Sequence, residues 1–484
     1  MDHLLGCRWN ITAGRILARS LCPEQDLPLG LVPRNIAAMP STSPVYRTAL
    51  RLATILTPAL GGINSKLRQG DRARRKAGDR LIDWARQKRD RGRPLAWFHA
   101  ASVGEGLQAE SVLRRFRRLR PDCQVVYTHF SPSAEALARG LRVDAADYLP
   151  YDLPGTMDRL LAALRPDLVV FAKLDVWPEL STRAADSGAQ VAIVAATVSP
   201  GSARLRWPAR PLLEAGYRAI TAAAAVSAED AARLARLGVH PGRIQLLGDP
   251  RFDSALERVE ANELHRFGRG APTLVAGSTW PADDEVVLQA FARLQRGRSG
   301  ARLIIVPHEP TPAHLQSVER KAASLGLPRP VRLSQAQEPV PLLLVDRLGV
   351  LATLYGSGTI AYVGGGFGRA GLHSVLEPAA WGVPVVFGPH WSNSRDSALL
   401  LAAGGGAALP SRWLGRASRA LLRHWEAWID DEVERGARGQ RAREVVLQGI
   451  GASDRSAEML AHLISERPLH RSPPAVRSAP PSAR

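Results

Sequence analysis

The chain reads as an α/β protein: two Rossmann-like, doubly wound domains facing a cleft, preceded by a membrane-associated helix. Three observations predict this. From residue 94 onward, short apolar runs alternate with stretches of helical period, the pattern of parallel strands joined by crossover helices. A turn-rich and then charged stretch, Pro250–Asn262, interrupts the alternation, and a second βα series opens at Thr273. The 484 residues also exceed what one core holds, since cores split beyond roughly 250–300 residues. The divisions that follow are 1–44, an extension outside the fold; 45–93, an anchor helix and basic linker; 94–255 and 256–466, the two domains; and 467–484, a tail.

An apolar fraction of 45% is ordinary for a soluble chain, but Lys plus Arg number 64 against 45 Asp plus Glu, a net charge of +19. Such an excess suits an anionic partner: nucleic acid, an anionic membrane face or a phosphorylated substrate. Three cysteines (Cys7, Cys22, Cys123) form no CxxC and no Cys/His cluster at zinc spacing. The reading is a reducing compartment and no structural metal. No repeat of solenoid period is present.

Taking the elements in order, residues 1–38 lack a clear period and do not make a signal peptide. Met39 precedes the first well-patterned stretch and is the expected natural start, with the residues before it disordered or not made. The Asn10-Ile11-Thr12 sequon is then a chance match. Val45–Ile63 is apolar apart from Arg47 and Arg51, and it falls short of the about 20 apolar residues of a spanning helix. Residues 66–93 follow with twelve Lys/Arg against four Asp. Apolar helix plus basic segment is the pattern of a monotopic anchor on an anionic leaflet; an ordinary surface helix beside a solvated basic stretch is the alternative. A nucleic-acid patch is disfavoured, because aromatics are not interleaved through the basic run.

Strands of the first domain are expected at Leu95–Ala100, Gln124–Thr128, Asp147–Tyr151, Leu168–Ala172, Val191–Ala195, Ala222–Val226 and Ile244–Leu247, with helices such as Ala134–Arg142 and Ala228–Leu237 between them. The first strand leads through small residues to a lone acid, Glu105, and then a helix carrying Leu107, Val112, Leu113 and Phe116. Chemistry in α/β folds sits at such a carboxyl end, where helix-terminal N–H groups favour an ionised carboxylate. Glu105 is therefore a candidate base for a hydroxyl proton; on spacing alone, a helix-capping acid fits as well.

The second series runs Thr273–Gly277, Ala301–Val306, Leu342–Asp346, Ile360–Val363 and Val383–Phe387, with closing helices over 427–463 and a Pro/Ser/Arg-rich tail from Pro468 expected to be disordered. The fourth strand ends in Gly364-Gly365-Gly366, where a ligand or another backbone comes close. Gly371-Leu372-His373-Ser374 then turns into a helix carrying Glu377. Backbone N–H groups near His373–Val375 are candidates to hold a phosphate, aided by about half a positive charge from the helix dipole. Glu377, one turn in, is a candidate for a ribose diol. The spacing is neither GxGxxG nor a Walker loop, so glycine as plain loop punctuation stays open.

Taken together, WFHAASVGEG (97–106), YLPYDLP (148–154), VWPEL (176–180), GDPRFD (248–253), AGSTWPADDE (276–285), DRLGVLATLYG (346–356) and GGGFGRAGLHSVLEPAAWGVPVVFGP (364–389) resemble, in order, one family. It is the 3-deoxy-D-manno-octulosonic acid (Kdo) transferases of lipopolysaccharide assembly, glycosyltransferases of the two-Rossmann GT-B type. The resemblance spans roughly residues 45–463. It implies that Glu105 is the general base acting on a primary hydroxyl of the glucosamine disaccharide in a lipid A precursor. Kdo is then transferred with inversion from CMP-Kdo, with no cofactor and no metal. His308, Gly365, Gly366, His373, Ser374, Glu377 and Ser131 fall on the donor side; Ser102, Lys173 and Asp175 fall on the acceptor side. The anchor, by the same resemblance, holds the enzyme at the cytoplasmic face of the bacterial inner membrane, with the anionic leaflet as a partner and nucleic acid excluded.

Four departures mark a divergent branch. The common E-x-E-x-W-P has Lys173 and Asp175 for its two acids, and P-R-H reads Pro307-His308-Glu309. G-G-H-N reads Gly371-Leu372-His373-Ser374, and Ser278-Thr279-Trp280 fills the slot of a Ser-Thr-His run. The rival readings are a GT-B transferase or epimerase working on a UDP- or GDP-sugar, and a non-catalytic membrane-surface module.

Overall fold

Two seven-stranded sheets, every pairing parallel, organise the computed structural model, which describes residues 42–60, 65–260, 271–368, 371–392 and 394–465. The expectations for residues 1–38, for Met39 and for the tail lie outside the described residues.

The first sheet comprises β1 (Leu95–His99), β2 (Gln124–His129), β3 (Ala145–Tyr148), β4 (Leu168–Ala172), β5 (Gln190–Ala196), β6 (Ala222–Ala225) and β7 (Ile244–Leu246). Their spatial order is β3-β2-β1-β4-β5-β6-β7. The second comprises β8 (Thr273–Thr279), β9 (Arg302–Pro307), β10 (Val331–Arg332), β11 (Leu342–Leu344), β12 (Ile360–Val363), β13 (Val385–Phe387) and β14 (Gly406–Ala408), ordered β10-β11-β9-β8-β12-β13-β14. Strand order reverses between β1 and β4, and again between β8 and β12. In open parallel sheets these switch points are where ligands bind.

Helices cover both faces of each sheet, so β1, β2 and β4 are buried at every residue, and β4 reads as an unbroken apolar run. Trp97, fully buried in β1, spends its one polar atom on Thr128 Oγ1 of β2, 2.9 Å away. Expected and observed strands differ where local pattern is weak. β3 begins two residues earlier than expected, and β10 and β14 were not expected at all, being two and three residues long at sheet edges. The expected helix 134–142 is a 3-10 turn, Pro132–Ala134, followed by a short helix, Glu135–Gly140.

Residues 66–93 are not a basic linker. Most of them belong to a 24-residue helix, Ser65–Lys88, because Ala77, Leu81 and Ala85 recur at helical spacing and bury against the Pro154–Leu164 helix and the first core. A helix also spans Pro44–Leu60. Its start is tied down by Tyr46, whose hydroxyl donates to the buried Asp152 (2.8 Å), and by Arg47, which pairs with the fully buried Glu179 (2.5 Å). Its outer side leaves Val45, Leu52, Ile55 and Leu56 more than half exposed. Among the described residues no helix is long and apolar enough to cross a membrane.

The assignment of all of 256–466 to the second domain fails at its end. The Ala452–Ser465 helix returns to pack on the Val103–Leu119 helix of the first lobe, where Met459, Leu460, Leu463 and Ile464 find apolar cover. Polar contacts set its position: Ser453 Oγ donates to Ser111 Oγ (2.9 Å), and Arg115 pairs with Asp454 (2.8 Å). Asp253 of the crossing helix Pro250–Glu260 accepts the N–H groups of Gly451 (2.6 Å) and Ser453 (2.9 Å).

Candidate active site

At the first switch point, β1 ends and the Val103–Leu119 helix begins, with Glu105 in its opening turn. Glu105 Oε2 is buried and has no hydrogen-bond partner among the described residues. Beside it in β2 is Tyr127, fully buried, its hydroxyl likewise without a partner. Burial first, and then the nearby Glu105 charge, raise the Tyr127 pKa, so it stays a phenol and a donor. Gly106 makes the approach possible, since a Cβ there would lie 2.9 Å from the Tyr127 oxygen and 2.4 Å from a Leu137 methyl. Unsatisfied buried polar atoms cost about 1–3 kcal/mol each, and they concentrate where a ligand completes the set.

Across the switch point, β4 runs into Lys173, held at φ +62° with its N–H on Val194 O (2.8 Å). Asp175 follows. Its Oδ2 accepts from the Trp177 indole (3.0 Å) and lies 3.2 Å from His99 Nε2, and Arg204 is 3.5 Å from its other oxygen. Burial pushes Asp175 up, but His99, Trp177 and Arg204 outweigh it and hold the carboxyl below its usual range. His99 is fully buried, with Nδ1 3.1 Å from Thr128 Oγ1. Lys173 makes no ion pair with Asp175 or with any other described residue. Ser102 precedes the Glu105 helix and makes no capping bond with its side chain. Ser131, assigned to the donor side, belongs to the first lobe; its N–H donates to Ala101 O (2.8 Å) in the loop that leads to Glu105.

The second switch point is built from backbone and rings. Gly365 has φ +95°, and a Cβ on it would sit 2.2 Å from Gly371 O; one on Gly366 would sit 2.6 Å from Gly388 Cα. The buried Asp283 holds this loop in place, accepting the N–H of Gly365 (2.9 Å), the N–H of Trp280 (3.0 Å) and the Tyr362 hydroxyl (2.7 Å). Over the loop, Trp280, His308 and His373 cluster. Trp280 stacks on His308 at 4.9 Å, His308 on His373 at 4.4 Å, and the Trp280 indole donates to His373 Nε2 (3.0 Å). Burial, then the neighbouring His308, push His373 down to about 4, and burial lowers His308 as well. Both rings are neutral at physiological pH.

The helix expected to cradle a phosphate is shorter than that role asks. It spans only Leu376–Ala380, because Trp381-Gly382 turns at φ +72° just beyond it, so its dipole is a fraction of a full helix's. Ser374 is exposed and accepts only a long bond (3.4 Å) from Leu376 N–H, and one Glu377 oxygen is taken by Arg258 of the crossing helix. Among the described residues no group of three or more His, Cys, Asp or Glu is arranged to hold a metal ion.

Comparison with known proteins decides the family. The model of the 3-deoxy-D-manno-octulosonic-acid transferase (Kdo transferase) family matches residues 75–254. A 3-deoxy-D-manno-octulosonic acid transferase of Bordetella pertussis is 30% identical over 389 residues, covering 76% of this chain and 87% of that one. The chain belongs to the Kdo transferase family. A second relative of the same name, from Haemophilus influenzae, is 25% identical over 371 residues, covering 75% of this chain and 86% of its own. The fold is also that of a UDP-GlcNAc 2-epimerase from Neisseria meningitidis, at TM-score 0.56 and 12% identity over 78% of this chain and all of that one.

In this member of the Kdo transferase family the switch points gather Ser102, Glu105, Lys173 and Asp175 at one edge and His308, Gly365, Gly366 and His373 at the other. Sequence reasoning missed Tyr127, His99 and Asp283. The first two lie inside strands, where a polar residue carries no positional signal, and Asp283 passes for a routine acid in a first helical turn. Only the Trp-Pro that precedes Asp283 hinted at a cap.

Proposed function

We propose that this member of the Kdo transferase family, a glycosyltransferase, takes Kdo from CMP-Kdo and transfers it with inversion to a lipid A precursor of the tetra-acylated disaccharide type. The observation that carries this reading is the unpartnered, buried Glu105 oxygen at the carboxyl end of the central strand. In the reaction, Glu105 accepts the proton of the acceptor's primary hydroxyl as that oxygen bonds to the anomeric carbon of Kdo. The bond from that carbon to the phosphate oxygen breaks on the opposite face, and CMP departs with the electron pair. Proton transfer of this kind contributes about 10²–10⁴-fold.

The second edge serves the donor. Gly365 and Gly366, packed on neighbouring main chain, shape the loop that faces the nucleotide; Trp280, His308 and His373 offer ring faces and neutral nitrogens, and Glu377 keeps one oxygen for the ribose. Ser374 and Ser131 are further donor contacts in this reading. Ser102, Asp175 and the unpaired Lys173 serve the acceptor side, where a cation balances anionic substrates. No metal takes part, so a chelator is expected to leave the rate unchanged. The exposed apolar side of the Pro44–Leu60 helix and the basic helix after it support work at the cytoplasmic face of the inner membrane.

The test is CMP release from CMP-Kdo with and without a tetra-acylated glucosamine disaccharide. Release that requires the acceptor is expected. Turnover of a UDP-sugar in its place, together with no stabilisation of the protein by CMP, would overturn the reading.

A further inference from the structure

A cavity of about 1160 Å³ opens on the first lobe between the Ser65–Lys88 helix and the β2–β3 edge, away from both switch points. The helix buries Ala77, Leu81 and Ala85 and turns Arg68, Arg72 and Lys76, spaced four apart, into this cavity. The carboxylates nearby are already engaged. Arg80 grips Asp147 through two bonds, Nε (2.7 Å) and Nη2 (2.5 Å), and Arg139 and the Tyr148 hydroxyl hold Glu135. Arg75 shares its Nε–H between the two Asp71 oxygens (3.1 and 2.9 Å). Arg68, Arg72 and Lys76 are left without an ion pair among the described residues. Like charges four apart on a helix oppose each other, so a bound dianion would relieve what the fold leaves uncompensated.

His129, 2% exposed, is the wall nearest the active site. Its Nδ1 lies 3.1 Å from Ser131 O, and a carbonyl only accepts, so the proton is on Nδ1. Burial keeps the ring neutral, which leaves Nε2 as a hydrogen-bond acceptor suited to a sugar hydroxyl. His129 ends β2, and the next two residues, Phe130 and Ser131, both donate to Ala101 O in the loop that opens into the Glu105 helix. The cavity is therefore one loop away from the base. Its volume exceeds the need of a lone ion and matches a sugar carrying one.

We propose that this cavity binds a phosphomonoester on the acceptor sugar, with Arg68, Arg72 and Lys76 holding the dianion and His129 a sugar hydroxyl. The proposal rests on the acceptor reading above and adds to it a site for the group that orients the acceptor. A bilayer headgroup phosphate shares this chemistry, and the experiment separates the two.

The full-length protein in detergent would be titrated with a deacylated glucosamine disaccharide bearing one phosphomonoester, and with the same sugar after phosphatase treatment. Wild type is expected to bind the phosphorylated sugar at least tenfold more tightly. The Arg72→Gln/Lys76→Gln variant, which keeps good helix formers at exposed positions, is expected to lose that preference. Its KM for the phosphorylated acceptor should rise about tenfold with kcat within twofold, while its sedimentation with phosphatidylglycerol vesicles falls no further than that of Arg86→Gln/Lys88→Gln, which removes two exposed cations of the same helix outside the cavity. No preference in wild type, a preference retained in the variant, or a loss confined to vesicle binding would each overturn the proposal. Binding is read without turnover, so failure to transfer Kdo would strike the functional reading and leave this result standing.

Discussion

The two lobes end their central strands in edges of opposite character. In the first, charged side chains dominate: Glu105 with an unsatisfied oxygen, Lys173 with no ion pair among the described residues, and Asp175 locked among His99, Trp177 and Arg204. In the second, the edge is backbone and neutral rings, with Gly365 and Gly366 pressed against neighbouring main chain and two histidines that burial keeps unprotonated. Each lobe steadies its edge with one aspartate beside a tryptophan, half-buried Asp175 and buried Asp283, but the aspartates do different work. Asp175 fixes side chains, and Asp283 fixes a loop through two backbone N–H groups and a tyrosine. One parallel-sheet frame thus yields an edge fit for proton transfer and another fit for holding a planar, already anionic ligand by shape.

Breaking the second edge should have the largest effect on stability. Gly366→Ala places a methyl within 2.6 Å of Gly388 Cα, and neither backbone has room to withdraw. Urea unfolding is expected to show a loss of about 3 kcal/mol, with stabilisation by CMP abolished; a loss under 1 kcal/mol would mean the loop is looser than this packing implies. A smaller effect tests the neutral rings. His373 titrates near 4 in the fold and near 6.5 when unfolded, so its stability is intact above pH 6.5 and is lost as pH falls toward 4. His373→Asn should remove about 2–3 kcal/mol of the acid-induced loss across that window, read from urea midpoints at pH 7 and pH 4.5 in both proteins. An identical pH slope in the variant would place the titration elsewhere.

The smallest effect sharpens the first edge. Ser102 makes no capping bond with its side chain, so Ser102→Ala should shift stability by less than about 0.5 kcal/mol. A loss near the about 1 kcal/mol of a working cap would show that the serine is structural.

Much of this architecture is legible in the chain because parallel strands buried on both faces are mostly apolar. Leu168–Ala172 matches its expected bounds for that reason, and the helix Ala228–Leu237 matches because Ser227 caps its start and Gly238 ends it. β10 and β14 are not legible, since two or three edge residues take their conformation from the neighbouring strand rather than from their own pattern. The candidate site divides in the same way. Glu105, Lys173 and the glycines stand where strand turns to helix, and composition marks such places. Tyr127 and His99 become polar features of the site only once β1 and β2 are side by side. The brevity of the Leu376–Ala380 helix was written in Trp381-Gly382, but only the positive φ at Gly382 makes it decisive.

The most direct measurement compares wild type and Glu105→Gln in two readouts side by side: CMP-induced thermal stabilisation, and the rate of Kdo transfer from CMP-Kdo to the disaccharide acceptor. The account predicts that the stabilisation survives while transfer falls by about 10²–10⁴-fold. Transfer within tenfold of wild type would contradict it, because the carboxylate would then not be taking the acceptor's proton.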